Sequence, residues 1–167
     1  MRSKNSGFTT MELVVVIAII AIISAIAMPN IVGWIPKRKL GVAARDVLNA
    51  VESARLTAVR NRVSVGIEFL GDNVTYRVWL DDGAGVGTSN DALLNGTERT
   101  ILTRTLPAGI TVTGATFGGP RSFRFDSQGF PIGTDNAPTD GSITITNKKD
   151  NRIVEMTLAG NVSIQKP

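Results

Sequence analysis

The residues best placed to do chemistry lie in the first twelve positions. A short basic leader, Met1 to Gly7, meets Phe8-Thr-Thr-Met-Glu12, and sixteen apolar-dominated residues, Leu13 to Met28, follow without a break. Glu12 is therefore an acid at the mouth of an apolar helix, where carboxylates are rare and usually paired or functional. Cutting the chain between Gly7 and Phe8 would create an α-amino group about one helical turn from Glu12, or from the Glu12 of a neighbouring copy. That pairing is chemistry of assembly rather than of a substrate. A glycine before the cut also suits a peptide bond that must extend into a protease cleft.

Little else in the sequence invites catalysis. The chain has no His and no Cys, which removes the commonest general base, the commonest metal ligand and every thiolate. No nucleophile motif, cofactor motif or catalytic residue is found, so the chain is not expected to be an enzyme and no cofactor is implied. Asp81, Asp82 and Asp91 sit in a loop whose oxygen ligands would suit calcium. The spacing fails the helix-loop-helix calcium pattern, because Gly83 takes the third position and the twelfth is not Glu, so a solvated acidic loop is the preferred reading. The glycines near residues 85 to 87 lack the lysine of a phosphate loop.

Charge gives a similar answer. The formal net charge is +4, from 18 basic and 14 acidic residues. Lys37, Arg38 and Lys39 form the one basic triplet, which is read as solvated, with contact to anionic head groups as the alternative. Arg121, Arg124, Lys148, Lys149 and Arg152 could make a nucleic-acid patch if their strands adjoin. Asp126, Asp140 and Asp150 lie among them, so DNA is not favoured as a partner.

The elements that must position these groups are legible from periodicity. Counting from Phe8 to Met28 gives twenty-one residues, a helix of roughly 31 Å against a hydrocarbon core of about 30 Å. One bilayer crossing is predicted over 8–28. The same residues also read as a secretory signal, with Arg2 and Lys4, an apolar Leu13 to Ile23, and Ala25-Ile26-Ala27 before a cut; Glu12 has no use in that role. Pro29 reads either as a kink or as a membrane-exit signal. With Gly33, Pro36 and Gly41 it predicts a bend or break over 29–41. Leu40, Ala44, Val47, Val51, Ala54 and Ala58 then recur at spacings of four and three, an amphipathic helix over 40–62.

Beyond it the period drops to two. Val63, Val65, Ile67 and Phe69, the turn Gly71-Asp72-Asn73, then Val74, Tyr76, Val78 and Leu80 form a hairpin. A loop of sixteen residues begins at Asp81. Further strands are expected at Arg99 to Leu106, Ile110 to Thr113, Ser122 to Phe125, Ser142 to Asn147, Arg152 to Leu158 and Val162 to Gln165. The class is α+β: a long N-terminal helix, membrane-spanning then amphipathic, against an antiparallel sheet head over 63–167.

The stretch from Gly7 through Glu12 into the apolar run resembles the type IV prepilin processing motif. The resemblance implies leader removal (residues 1–7) by a prepilin peptidase between Gly7 and Phe8, N-methylation of Phe8, an assembly role for Glu12, and a helix kink at Pro29; Pro36, within the expected bend, is read as a second kink. The segment from Ala44 to Phe69 resembles the helix and first strand of the minor pseudopilin H and fimbrial minor pilin T group, through Ala54, Arg55, Ala58, Val59, Arg62 and Val65. FRFDSQGFPIG and MTLAGNVSI are similar to that group's later turns, with Gly129 and Gly160 in the turn positions. This second resemblance implies a pilin-like fold and a structural subunit of a type II secretion pseudopilus. The alternative is a minor type IV pilin serving pilus biogenesis or DNA uptake. Implied partners are other pilin or pseudopilin subunits, the peptidase, an inner-membrane assembly platform, membrane lipid and secreted cargo. The implied location is the bacterial inner membrane, single-pass, with the head in the periplasm. The basic triplet on the outer side runs against the positive-inside tendency, and the more specific processing motif sets the topology.

Overall fold

The computed structural model describes residues 8–85, 87–117 and 121–166, leaving aside the side chains of residues 27–33. Two compact units divide the chain, one ending at Pro36 and the other running from Lys37 to Pro167.

Helix α1 is assigned from Thr10 to Asn61. The assignment is continuous through 29–41, where the sequence predicts a bend or break. Proline has a helical φ of its own, so its cost inside a helix is a missing donor and a steric push on the preceding turn rather than forbidden backbone. At its far end α1 closes through Val63 N–H donating to the Ala58 carbonyl, with Arg62 in the left-handed region at φ 55°. That is the glycine-favouring end geometry of many helices, here carried by an arginine.

Within the second unit, Leu40, Ala43, Ala44, Val47, Ala50, Val51, Ala54 and Ala58 are buried. The stripe matches the predicted periodicity, and its alanines allow close approach of helix and sheet. Among the described residues nine strands come after it: β1 (Val65–Phe69), β2 (Thr75–Leu80), β3 (Thr100–Thr105), β4 (Thr111–Thr116), β5 (Ser122–Phe125), β6 (Pro131–Ile132), β7 (Gly141–Thr146), β8 (Asn151–Met156) and β9 (Val162–Gln165). They form two antiparallel sheets rather than a single one, ordered β3-β2-β1-β5-β6 and β4-β7-β8-β9. The predicted strands are all present, with ends shifted by a few residues. Strand β6 is not expected from the sequence, because two residues beginning with Pro carry no alternation to read.

One core joins helix and sheets. Val65, Ile67, Phe69, Tyr76, Val78, Phe123 and Phe125 come from the first sheet, and Val112, Ile143, Ile145, Val154 and Met156 from the second. Phe117 sits between them, its ring centroid 4.2 Å from that of Phe123 and 6.3 Å from that of Phe69. Trp79, fully buried, lies over Gly66, its antiparallel neighbour across β1 and β2. A Cβ on Gly66 would stand 2.3 Å from the indole, so only glycine fits beneath it.

Arg55 ties the helix to both sheets. Its Nε donates to the Gly129 carbonyl at 3.0 Å, and its two terminal nitrogens donate to the carbonyls of Gly160 and Ala159, each at 2.9 Å. Gly129 closes the β5–β6 turn and Gly160 the β8–β9 turn, at φ 85° and 76°. A Cβ on Gly160 would approach the Gly129 carbonyl to 2.7 Å, so the turns meet backbone to backbone under the guanidinium.

Candidate functional site

Helix α1 begins in a reciprocal cap built from the residues that the sequence marks for assembly. Thr9 Oγ1 accepts the Glu12 N–H at 3.2 Å, and a Glu12 carboxylate oxygen accepts the Thr9 N–H at 3.4 Å. A Thr-x-x-Glu spacing satisfies two of the amides that a helix start leaves without partners, and an acid in the first turn also meets the positive end of the helix dipole. Glu12 thus has a role within its own chain that sequence reasoning missed, although the Thr9-to-Glu12 spacing carried the signal. Phe8, one residue before Thr9, is 82% exposed. Gly7, the other half of the expected cut site, lies outside the described residues, as does the Pro29 side chain. Pro36 lies within α1 and is exposed.

Beyond the cap, Leu13, Val14, Val15, Val16, Ile17, Ile19, Ile20, Ile22, Ile23 and Ile26 are all exposed. These positions cover the whole circumference of the helix, so this is an element apolar all round rather than an amphipathic one. Such a surface is stable only when covered by lipid or by protein. Among the described residues no helix is long and apolar enough to cross a membrane; the described side chains of the apolar run stop at Ile26.

The acidic loop is organised internally. Asp81, 1% exposed, accepts N–H groups from Asn90 and Asp91 on one oxygen and from Ala92 on the other. Glu98 accepts the Gly83 and Asn95 amides in the same manner, one on each oxygen. These carboxylates serve as backbone acceptors that hold the loop. Among the described residues no group of three acids, His or Cys is arranged to hold a metal ion.

Arg124, a member of the candidate basic patch, is buried. It donates to Ser64 Oγ at 3.2 Å and to Asn136 Oδ1 at 2.6 Å, and its Nε lies 3.9 Å from Asp81. Burial pushes the Arg124 guanidinium below and the Asp81 carboxyl above their ordinary values. Both directions mean that desolvation outweighs the attraction of so long a pair. Of the other candidates, Arg121 belongs to the first sheet's turn region, donating to Asn73, while Lys148, Lys149 and Arg152 flank the β7–β8 turn of the second sheet.

Comparison with known families decides the assignment. Residues 43–161 match the family of the type II transport protein GspH. The chain belongs to the GspH family. Residues 2–28 match the prokaryotic N-terminal methylation motif, which covers the cap and the apolar run described above. No curated protein sequence matches the chain. Among solved structures, it is similar to the type IV minor pilin FimU of Pseudomonas aeruginosa, with a TM-score of 0.56 at 19% identity over 77% of this chain and 90% of that one. It is also similar to the minor pseudopilin EpsH of the Vibrio cholerae type II secretion system, with a TM-score of 0.56 at 13% identity over 78% and 96%. At these identities the likeness is one of fold. This GspH-family chain thus has a pilin-like α+β fold, and its family is one of structural subunits rather than enzymes.

Proposed function

We propose that this chain works in a type II secretion system as a minor pseudopilin, cut between Gly7 and Phe8 by the prepilin peptidase and N-methylated on Phe8. The helix over 8–28 holds it in the inner membrane with its head in the periplasm, until the assembly platform moves it into the pseudopilus. There, other pilin-type helices replace lipid around the apolar run. Hydrophobicity alone gains little in that exchange, since lipid tails are as apolar as leucine. Glu12 supplies direction, pairing with the Phe8 amine of an adjoining subunit and so fixing axial register. Pro29 and Pro36 give the helix local freedom as the subunit changes surroundings. The observation that carries this reading is the pairing of an all-round apolar, exposed helix with an acid at its first turn.

The resemblance in fold to a minor pilin at an equal TM-score favours a second machine, a type IV pilus, in which the same helix would serve pilus initiation or DNA uptake. Deletion separates the two: loss of protein secretion with normal piliation supports the first reading, and the converse supports the second. Within either machine, Glu12→Ala and Glu12→Leu are expected to leave leader cleavage largely intact and to reduce incorporation into the filament. Normal incorporation of both variants would remove Glu12 from the account.

A further inference from the structure

Strand β3 is a free edge of the first sheet. Tyr76 of β2 stands directly opposite Arg104, and Val78 opposite Leu102, while the Leu106 N–H donates to the Val74 carbonyl. Hydrogen-bonded pairs alternate along an antiparallel ladder, so Leu102, Arg104 and Leu106 turn their backbone groups toward β2. Thr103 and Thr105 turn theirs outward, and among the described residues these N–H and carbonyl groups meet no partner. Ile101 is the extra residue of a bulge, so the regular part of the edge begins at Leu102.

Between this edge and α1 lies a notch of about 250 Å³, whose walls include Asp46, Asn49, Ser53, Tyr76, Leu102 and Arg104. Tyr76 is only 2% exposed, yet its hydroxyl has no hydrogen-bond partner among the described residues. A buried phenol normally finds one. Burial raises the pKa of that hydroxyl, Asp46 adds to the rise and Arg104 opposes it, so both charges stand close to it. Asp46 and Arg104 are exposed, and neither belongs to the ion pairs among the described residues, Arg77–Glu68 and Arg124–Asp81.

An occupant of the notch has to accept from Arg104, donate to Asp46 and meet the phenol. A carboxamide does all three with one planar, uncharged group. A carboxylate would face Asp46, and an ammonium would face Arg104. The outward groups of Thr103 and Thr105 recur at the two-residue repeat of a strand, which makes the carrier an extended polypeptide. The residue of an added strand opposite Arg104 then points its side chain into the notch. Reach past Arg104 to the Tyr76 hydroxyl favours glutamine over the shorter asparagine. The β3 of a second copy would present Thr100, Leu102 or Arg104 there, none of them a carboxamide.

We infer that the notch between α1 and β3 binds an extended segment of another protein, which adds as a strand to the β3 edge and places a glutamine side chain between Asp46 and Arg104.

The test uses the full-length chain in detergent and a synthetic peptide, acetylated Thr-Val-Gln-Val-Thr amide, with Glu, Lys or Leu replacing its Gln in three controls. Saturation with the Gln peptide is expected to slow amide exchange at Thr103 and Thr105 at least fivefold and to leave Leu102 and Arg104 unchanged. The three controls should bind at least tenfold more weakly. Tyr76→Phe should weaken the Gln peptide several-fold, and Asp46→Asn should bring the Glu peptide level with it. Thr103→Pro removes an N–H that faces away from β2, so the melting temperature should hold while the protection disappears. Unchanged exchange at Thr103 and Thr105 with every peptide, equal binding of all four, or protection of the edge by self-association of the chain would each overturn the inference.

Discussion

Glu12 joins two jobs that a substitution can separate. As the third helical residue it completes the cap with Thr9, and as a charge it is the group proposed to meet a neighbour's amine. Glutamine can still reach back to the Thr9 N–H but carries no charge. Glu12→Gln is therefore expected to keep the cap while losing incorporation into the filament, whereas Thr9→Ala should weaken the cap by about 1 kcal/mol with incorporation largely kept. Backbone amide exchange at the helix start and the filament-bound fraction read the two effects; full incorporation of Glu12→Gln would assign Glu12 to the cap alone. Asp72 gives a second residue-scale expectation. Hydrogen bonds from Thr75 and Val74 in the β1–β2 turn hold its carboxyl below the ordinary value of 3.8, with a smaller contribution from Arg121. A depressed carboxyl contributes stability that is fully present above pH 3.8 and lost as the pH falls through its folded value. Asp72→Ala should show less of this acid-side loss between pH 4 and pH 2, as followed by melting temperature; an identical profile would deny the turn that role.

At the scale of elements, Arg55 carries the connection between α1 and the two turns. Arg55→Ala removes three charge-assisted hydrogen bonds and leaves three carbonyls to find water at a partly exposed site, which is expected to cost about 2–3 kcal/mol. Chemical denaturation measures it, and a change under 0.5 kcal/mol would show that the turns hold each other without the guanidinium. Gly66→Ala should cost about 1–3 kcal/mol through overpacking against Trp79, with a change in tryptophan fluorescence at the same site. Much of this architecture was legible in the sequence. The buried stripe from Leu40 to Ala58, the hairpin around Asp72 and the strand from Ser122 to Phe125 can all be read from periodicity, because local pattern and tertiary burial agree there. The division into two sheets was not legible, since nothing local in β4 or β7 says which strand it will pair with. The convergence of Gly129 and Gly160 on Arg55, across 74 and 105 positions, is invisible for the same reason. Arg124 illustrates the converse: as one of several dispersed basic residues it reads as part of a solvated face, whereas between the core residues Phe123 and Phe125 it is buried beside Asp81.

Across the whole molecule, the two units require different surroundings. The unit from Lys37 onward buries a mixed helix-and-sheet core and satisfies its loop amides with Asp81 and Glu98. In the other unit the described apolar side chains from Leu13 to Ile26 are exposed, and lipid followed by neighbouring helices is the environment that suits them. The proposed assembly depends on one covalent event, the creation of a charged Phe8 amine beside a carboxylate. Mass spectrometry of the mature, cell-associated protein tests it most directly. The expected N-terminal peptide begins at Phe8 and carries one methyl group on its amine; a functional protein that begins at Met1, or at Met28 after removal of a secretory signal, would contradict it.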